Sequence, residues 1–170
     1  MMLDFREQLD SELKQREMYN IDVRNKSRSK SITSYRLKKI VDRMMKNLFQ
    51  MHGLENPEIS ILFTDDEHMR SLNLQYRNID STTDVLAFPM QDGRFPNVGP
   101  NILGDIVISI PTAKKQAEDH EHSLEKEIAT LLIHGFLHLT GHDDVSDAAN
   151  VKMKRREKEI MIQLKQRGVL

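Results

Sequence analysis

His134 and His138 stand four residues apart in an apolar run, residues 131–139, that reads as a helix. Side chains at that spacing share one helix face, with Cβ atoms about 5–6 Å apart. Two imidazoles placed this way can bind one zinc ion, whose bonds to nitrogen are about 2.0 Å long. The pair alone says little, but Gly141 follows the first His by seven positions and Asp144 by ten. A helix continued through Gly141 would put His142 about 12 Å along the axis from His134, out of reach of a shared ion. A left-handed Gly141 would instead end the helix and fold the chain back. Asp144, three residues past that turn, is better placed to return than His142, one residue past it. A carboxylate is a competent zinc ligand, and a set of two His and one Asp leaves a position open for water. One Zn2+ per chain on His134, His138 and Asp144 is therefore expected, with His134, His138 and His142 in a distorted turn as the rival set.

The remaining chemistry is bounded by composition. The 170 residues include no Cys, which removes disulfides, thiolate catalysis and Cys-based zinc sites. With 38% apolar and 30% charged residues the chain reads as one soluble globular domain. Its apolar runs fall well short of the roughly 18 residues of a membrane span, and the first twenty residues lack the pattern of a signal peptide, so a cytoplasmic location is expected.

The elements that must position these residues follow from periodicity. Leu37, Ile40, Val41, Met44, Met45 and Leu48 recur at three and four, after Thr33 and Ser34 as caps and before Gly53 as a stop, and predict a helix. Residues 58–64 alternate as a strand, and residues 19–23, 84–88 and 103–110 read as three more, the last stopped by Pro111. Thr64 to Glu67 form a capping box that opens a helix carrying Met69, Leu72 and Leu74. Residues 23–31 and 90–101 read as loops, and further helices are expected over 112–121, 124–140 and 146–167. The sum is an α+β single domain over residues 21–170: a small mixed sheet of about four strands packed with about five helices, and a metal site on a late helix and the turn after it. Residues 1–20 read as a helical N-terminal extension. Asp84 and Asp105 read as caps or partners of a histidine, and His52, His68, His120 and His122 as scattered surface residues.

Two families resemble this pattern. The spacing is similar to the metzincin metalloproteases, H-E-x-x-H-x-x-G-x-x-H, but Gly135 stands where their catalytic Glu should be, which argues against peptide hydrolysis. Residues 134–144 more closely resemble H-G-x-L-H-L-x-G-Y-D-H of the YbeY family of bacterial rRNA maturation factors, with His142 in the place of Tyr and Asp144 in the place of the third His. Residues 73–89 resemble that family's N-x-x-Y-R-x-x-D-x-P-T-D-V-L-S-F-P, with Thr82 for Pro and Ala87 for Ser. Residues 103–106 resemble its L-G-D-I, and Met153 with Glu157 its closing M-x-x-x-E. The resemblance runs from about residue 21 to 159. It implies a zinc-dependent endoribonuclease of single-stranded RNA, acting on the 16S rRNA precursor at its 3′ end and on the small ribosomal subunit, with no membrane or DNA partner.

The resemblance also marks Arg77 as the active-site cation. Read locally, Arg77 is equally a cation at a helix C-terminus; beside a metal, a guanidinium can grip a scissile phosphate with two prongs. The net charge of −1 conceals a segregation: +5 over residues 1–46, −11 over 47–151 and +5 over 152–170. The basic flanks are either solvated helix faces or patches that hold RNA phosphates. A non-catalytic ribosome-assembly factor with a structural metal is the alternative from another class.

Overall fold

Among the described residues four strands form one mixed sheet in the order β1-β2-β4-β3. They are β1 (Asn20–Asn25), β2 (Glu58–Thr64), β3 (Val85–Pro89) and β4 (Ile102–Ser109), interleaved with helices α1 (Ser34–Met51), α2 (Asp66–Arg77), α3 (Ile110–Asp119), α4 (Leu124–Leu139) and α5 (Asp147–Gln166). The structure is a computed structural model that describes residues 19–91, 99 and 101–170. β1, β2 and β4 run parallel and β3 runs antiparallel along β4. The α+β class, the mixed sheet and the five helices agree with the sequence reading. Of the expected N-terminal extension only Tyr19 and Asn20 are described, and Asn20 already belongs to β1; most of the 90–101 loop also lies outside the described residues. Among the described residues no helix is long and apolar enough to cross a membrane.

The sheet alternates as a pleated strand must. Ile59, Ile61 and Phe63 of β2 and Ile106 and Ile108 of β4 point into the main core, where Leu37, Val41, Met44, Met45, Leu48 and Phe49 of α1 and Ile128, Leu132 and Phe136 of α4 meet them. On the other face, Met69 of α2 packs on Leu86 and Val107, joined by Leu62, Leu72 and Phe88. α4 is buried on almost every side, so a polar side chain on it has few directions in which to face solvent.

Local departures from the sequence reading have identifiable causes. β1 continues to Asn25, past the loop expected from residue 23, because its backbone keeps pairing with β2 as far as Phe63. The capping box does not form: Asp65, not Thr64, is the N-cap of α2 and its side chain makes no cap bond. That carboxylate is taken by the 26–30 loop instead, accepting from Ser27 Oγ at 2.6 Å and Arg28 Nε at 2.9 Å. Pro111 does not precede α3 but lies in its first turn, where a missing N–H costs nothing, and Ser109 caps it. Pro89 ends β3 inside the ladder, tolerable on an edge strand. Between Glu58 and Ile59 the register skips Leu103, and the following Gly104 has φ +136° with Phe88 O occupying the place a Cβ would need. The L-G-D-I glycine is therefore a steric requirement of the bulge.

Asp22, Ser60, Asp105 and Phe88 form one row across the sheet. Burial pushes the half-buried Asp105 carboxyl up, the Ser60 hydrogen bond opposes this, and Asp22 adds to it. An acid raised in the folded state favours folding when protonated, below its unfolded value of about 3.9, and that contribution is lost as pH climbs through the folded value. Asp105→Asn is thus expected to raise the melting temperature at pH 7 and to give no gain near pH 3, as thermal melts of the metal-free protein at the two pH values would show.

Candidate metal centre

α4 begins at Ser123, whose hydroxyl accepts from Lys126 N at 3.2 Å, and carries His134 and His138 one turn apart on its single open edge. It ends as the spacing predicts: Gly141 adopts φ +92°, the amide of His142 returns to Leu137 O at 3.0 Å, and the chain reverses. The reversal brings Asp144 back over the helix end. His134 Nε2 and His138 Nε2 lie 3.0 Å apart, and the Asp144 oxygens lie 3.9 Å from the first and 3.8 Å from the second. Ligand atoms at about 2.0 Å around a tetrahedral ion are separated by about 3.3 Å, so the donor set fits one zinc-class ion. His142 does not join it. Its Nδ1 is buried with no hydrogen-bond partner among the described residues, and its ring lies near His52 instead.

A carboxylate fixes the direction of the pair. Glu157 of α5 accepts from His134 Nδ1 at 2.6 Å, which leaves the lone pair of Nε2 aimed into the pocket. This bond, more than any other influence, raises the basicity of His134, whereas burial and the neighbouring His134 push His138 down. The two rings therefore resist being charged together. Glu157→Gln should weaken metal binding by about 10–100-fold, the usual cost of removing such an orienting partner, while far-UV circular dichroism stays unchanged; competition with a chelator of known affinity measures it.

The pocket has a volume of about 190 Å³, and Arg77, Thr83 and Asp84 line it together with the two histidines and Asp144. Arg77 is the last residue of α2, and its charge is among those that lower His138. The 73–89 motif is the scaffold that holds it there. Asn78 takes a left-handed cap at φ 58°, the buried Asn73 amide donates to Ser81 O at 2.8 Å, and Arg70 grips Asp80 with two bonds of 2.6 and 2.8 Å. Tyr76 stacks edge-on against Phe88 at 5.0 Å. Asp84 accepts from Val85 N at 2.7 Å and Gln116 Nε2 at 2.9 Å, so it caps a turn, and Asp105 takes its hydrogen bond from Ser60; among the described residues neither carboxylate bonds a histidine.

Gly135 explains why the protease pattern fails physically as well as by sequence. A Cβ there would stand 3.0 Å from both Cδ1 and Cγ2 of Ile106, so the sheet fills the space from which a glutamate would have to extend. The four remaining histidines are not all scattered, as expected: His120 and His122 converge on Glu127. The orienting role of Glu157 was missed as well, although Glu157 belongs to the closing M-x-x-x-E motif.

Comparison with known proteins gives a consistent result. The family model described as Endoribonuclease YbeY matches residues 22–165. A relative named Endoribonuclease YbeY from Bacillus cereus (strain G9842) is 40% identical over 129 residues, covering 72% of this chain and 83% of its own. Another of the same name from Heliobacterium modesticaldum is 44% identical over 119 residues, covering 65% and 71%. The solution structure of TM1509 from Thermotoga maritima shares the fold, with a TM-score of 0.53 at 20% identity over 88% of this chain and 94% of that one.

Proposed function

From the chain's membership of the Endoribonuclease YbeY family, we propose that it is a metal-dependent endoribonuclease that cuts single-stranded RNA, with the 3′ end of the 16S rRNA precursor on the small ribosomal subunit as its cytoplasmic target. The observation that carries this reading is the pocket itself, where three converging donor atoms and Arg77 line one space of about 190 Å³. His134, His138 and Asp144 would hold one Zn2+, which when bound supplies a Lewis acid for a phosphate oxygen and lowers the pKa of a bound water.

The chain's own residues supply the rest. Arg77 pairs its fork of N–H groups with the non-bridging oxygens of the scissile phosphate and holds the charge that builds there. Glu157 keeps His134 in the tautomer that faces the pocket. Lys152, Lys154, Arg155 and Lys158 are exposed on α5 around Glu157 and offer a track for the flanking backbone. The N-terminal basic stretch contributes less, because Arg24, Arg28 and Arg36 are paired with Asp22, Asp65 and Glu125. A purely structural metal fits poorly with ligands that lie at a surface pocket beside a large apolar core.

The test is cleavage of one sequence presented as single-stranded RNA, as duplex RNA and as single-stranded DNA, by protein loaded with Zn2+ and by protein stripped with chelator. Cleavage of the RNA single strand alone, and by the loaded protein alone, is expected. Equal cutting by the stripped protein, or no cutting of any RNA by the loaded one, would overturn the proposal.

A further inference from the structure

The turn between α3 and α4 builds a second constellation, apart from the pocket just described. His120 is the C-cap of α3, with its amide on Gln116 O at 2.9 Å; Glu121 then adopts φ +54°, an unusual conformation for a residue with a side chain, and His122 returns its amide to Ala117 O at 3.0 Å. The tight reversal puts both rings on the same side, with centroids 5.5 Å apart, over Glu127 in the first turns of α4. Glu127 Oε2 lies 3.3 Å from His120 Nδ1 and 3.0 Å from His122 Nε2. The Glu127 side chain is only 5% exposed, and among the described residues its ion-pair partners are these two imidazoles.

Tautomers make this arrangement informative. His122 Nδ1 lies 3.2 Å from Ser123 O, a carbonyl that only accepts, so Nδ1 carries the hydrogen. Nε2 then faces the Glu127 carboxylate oxygen 3.0 Å away, a contact that a ring proton or a metal ion held between the two atoms makes attractive. The His120 nitrogen faces the same point, and the three ligand atoms all lie within 4.8 Å of one another. The ring of His120 is 60% exposed, so solvent can complete a coordination sphere. Asp119 and Glu121 add negative charge beside the turn, whereas Glu118 and Glu125 are paired with Lys114 and Arg36.

We propose that His120, His122 and Glu127 form a second site for a zinc-class divalent cation, one that clamps the α3–α4 turn. The nitrogen and carboxylate donor set selects a borderline transition-metal ion over Mg2+ or Ca2+. Glu127 and His134 are seven residues apart on α4, about 10.5 Å along the helix. Two-metal catalysis needs ions about 3.5–4 Å apart, so this ion takes no part in the reaction and acts on the stability of the helix that carries both histidines of the first site.

The experiment is a calorimetric titration of the metal-free full-length protein with Zn2+, with melting temperatures recorded in parallel. The wild type should bind two equivalents, and His138→Ala one, which still raises its melting temperature. His120→Ala, a change at an exposed ring, should also bind one and retain RNA cleavage, and Glu127→Gln should match it in stoichiometry. A single equivalent in the wild type that disappears in His138→Ala would overturn the proposal, as would two equivalents retained by both His120→Ala and Glu127→Gln.

Discussion

His138→Ala is expected to lower Zn2+ affinity at the first site by more than about 100-fold, and RNA cleavage at limiting metal with it. Removing a residue that only orients a ligand costs about 10–100-fold, and in the proposed site His138 would supply one of three ligand atoms. The remaining pair, His134 and Asp144, are 3.9 Å apart with the third corner of the triangle gone. The fold should survive, because His138 lies on the open edge of α4 while Leu132, Phe136 and Leu137 keep their contacts in the core. Metal competition with a chelator and cleavage assays at controlled free Zn2+ give the two numbers. A variant that keeps full affinity at this site would exclude His138 as a ligand.

Arg77→Ala should separate chemistry from metal binding. Arg77 lines the same pocket as the proposed ligands but is not one of them, so metal content should stay at the wild-type level. Loss of one preorganised donor from the transition state typically lowers kcat by about 10²–10³-fold, or 2.7–4 kcal/mol, and that fall is expected here, with a much smaller change in KM. Arg77→Lys should recover only part of it, since an ammonium is a point charge and cannot present the paired N–H groups of a fork. An equal fall in kcat and in bound metal would show that Arg77 supports the site's architecture and not the reaction.

The parts of this molecule that were legible in sequence are those governed by local rules. His134 and His138 are neighbours because a helix makes them so, and Asp144 could be preferred over His142 because a left-handed Gly141 reverses the chain, as its φ of +92° bears out. The parts that were not legible depend on tertiary docking. α5 has a charged residue at every position from 154 to 159, and only its packing against α4 decides that Glu157 turns inward while Lys158 faces solvent. Asp65 looked like one end of a capping box, but a loop nearly forty residues earlier in the chain competes for its carboxylate. The His120–His122–Glu127 cluster was hidden because its convergence depends on Glu121 entering a backbone region that sequence patterns do not forecast.

The pocket also has a consequence for the order of events as the chain folds. Its parts come from the end of α2, from α4, from the turn after it and, through Glu157, from α5, and they sit on a sheet whose β2–β4 pairing spans more than forty residues. Contacts between segments so far apart in sequence form late, after most of the loop-closure entropy has been lost. A metal at this site would therefore meet a chain already near its final topology. Interactions absent from the transition state slow unfolding and leave the folding rate almost untouched, so the ion would lengthen the lifetime of the native protein without guiding its assembly.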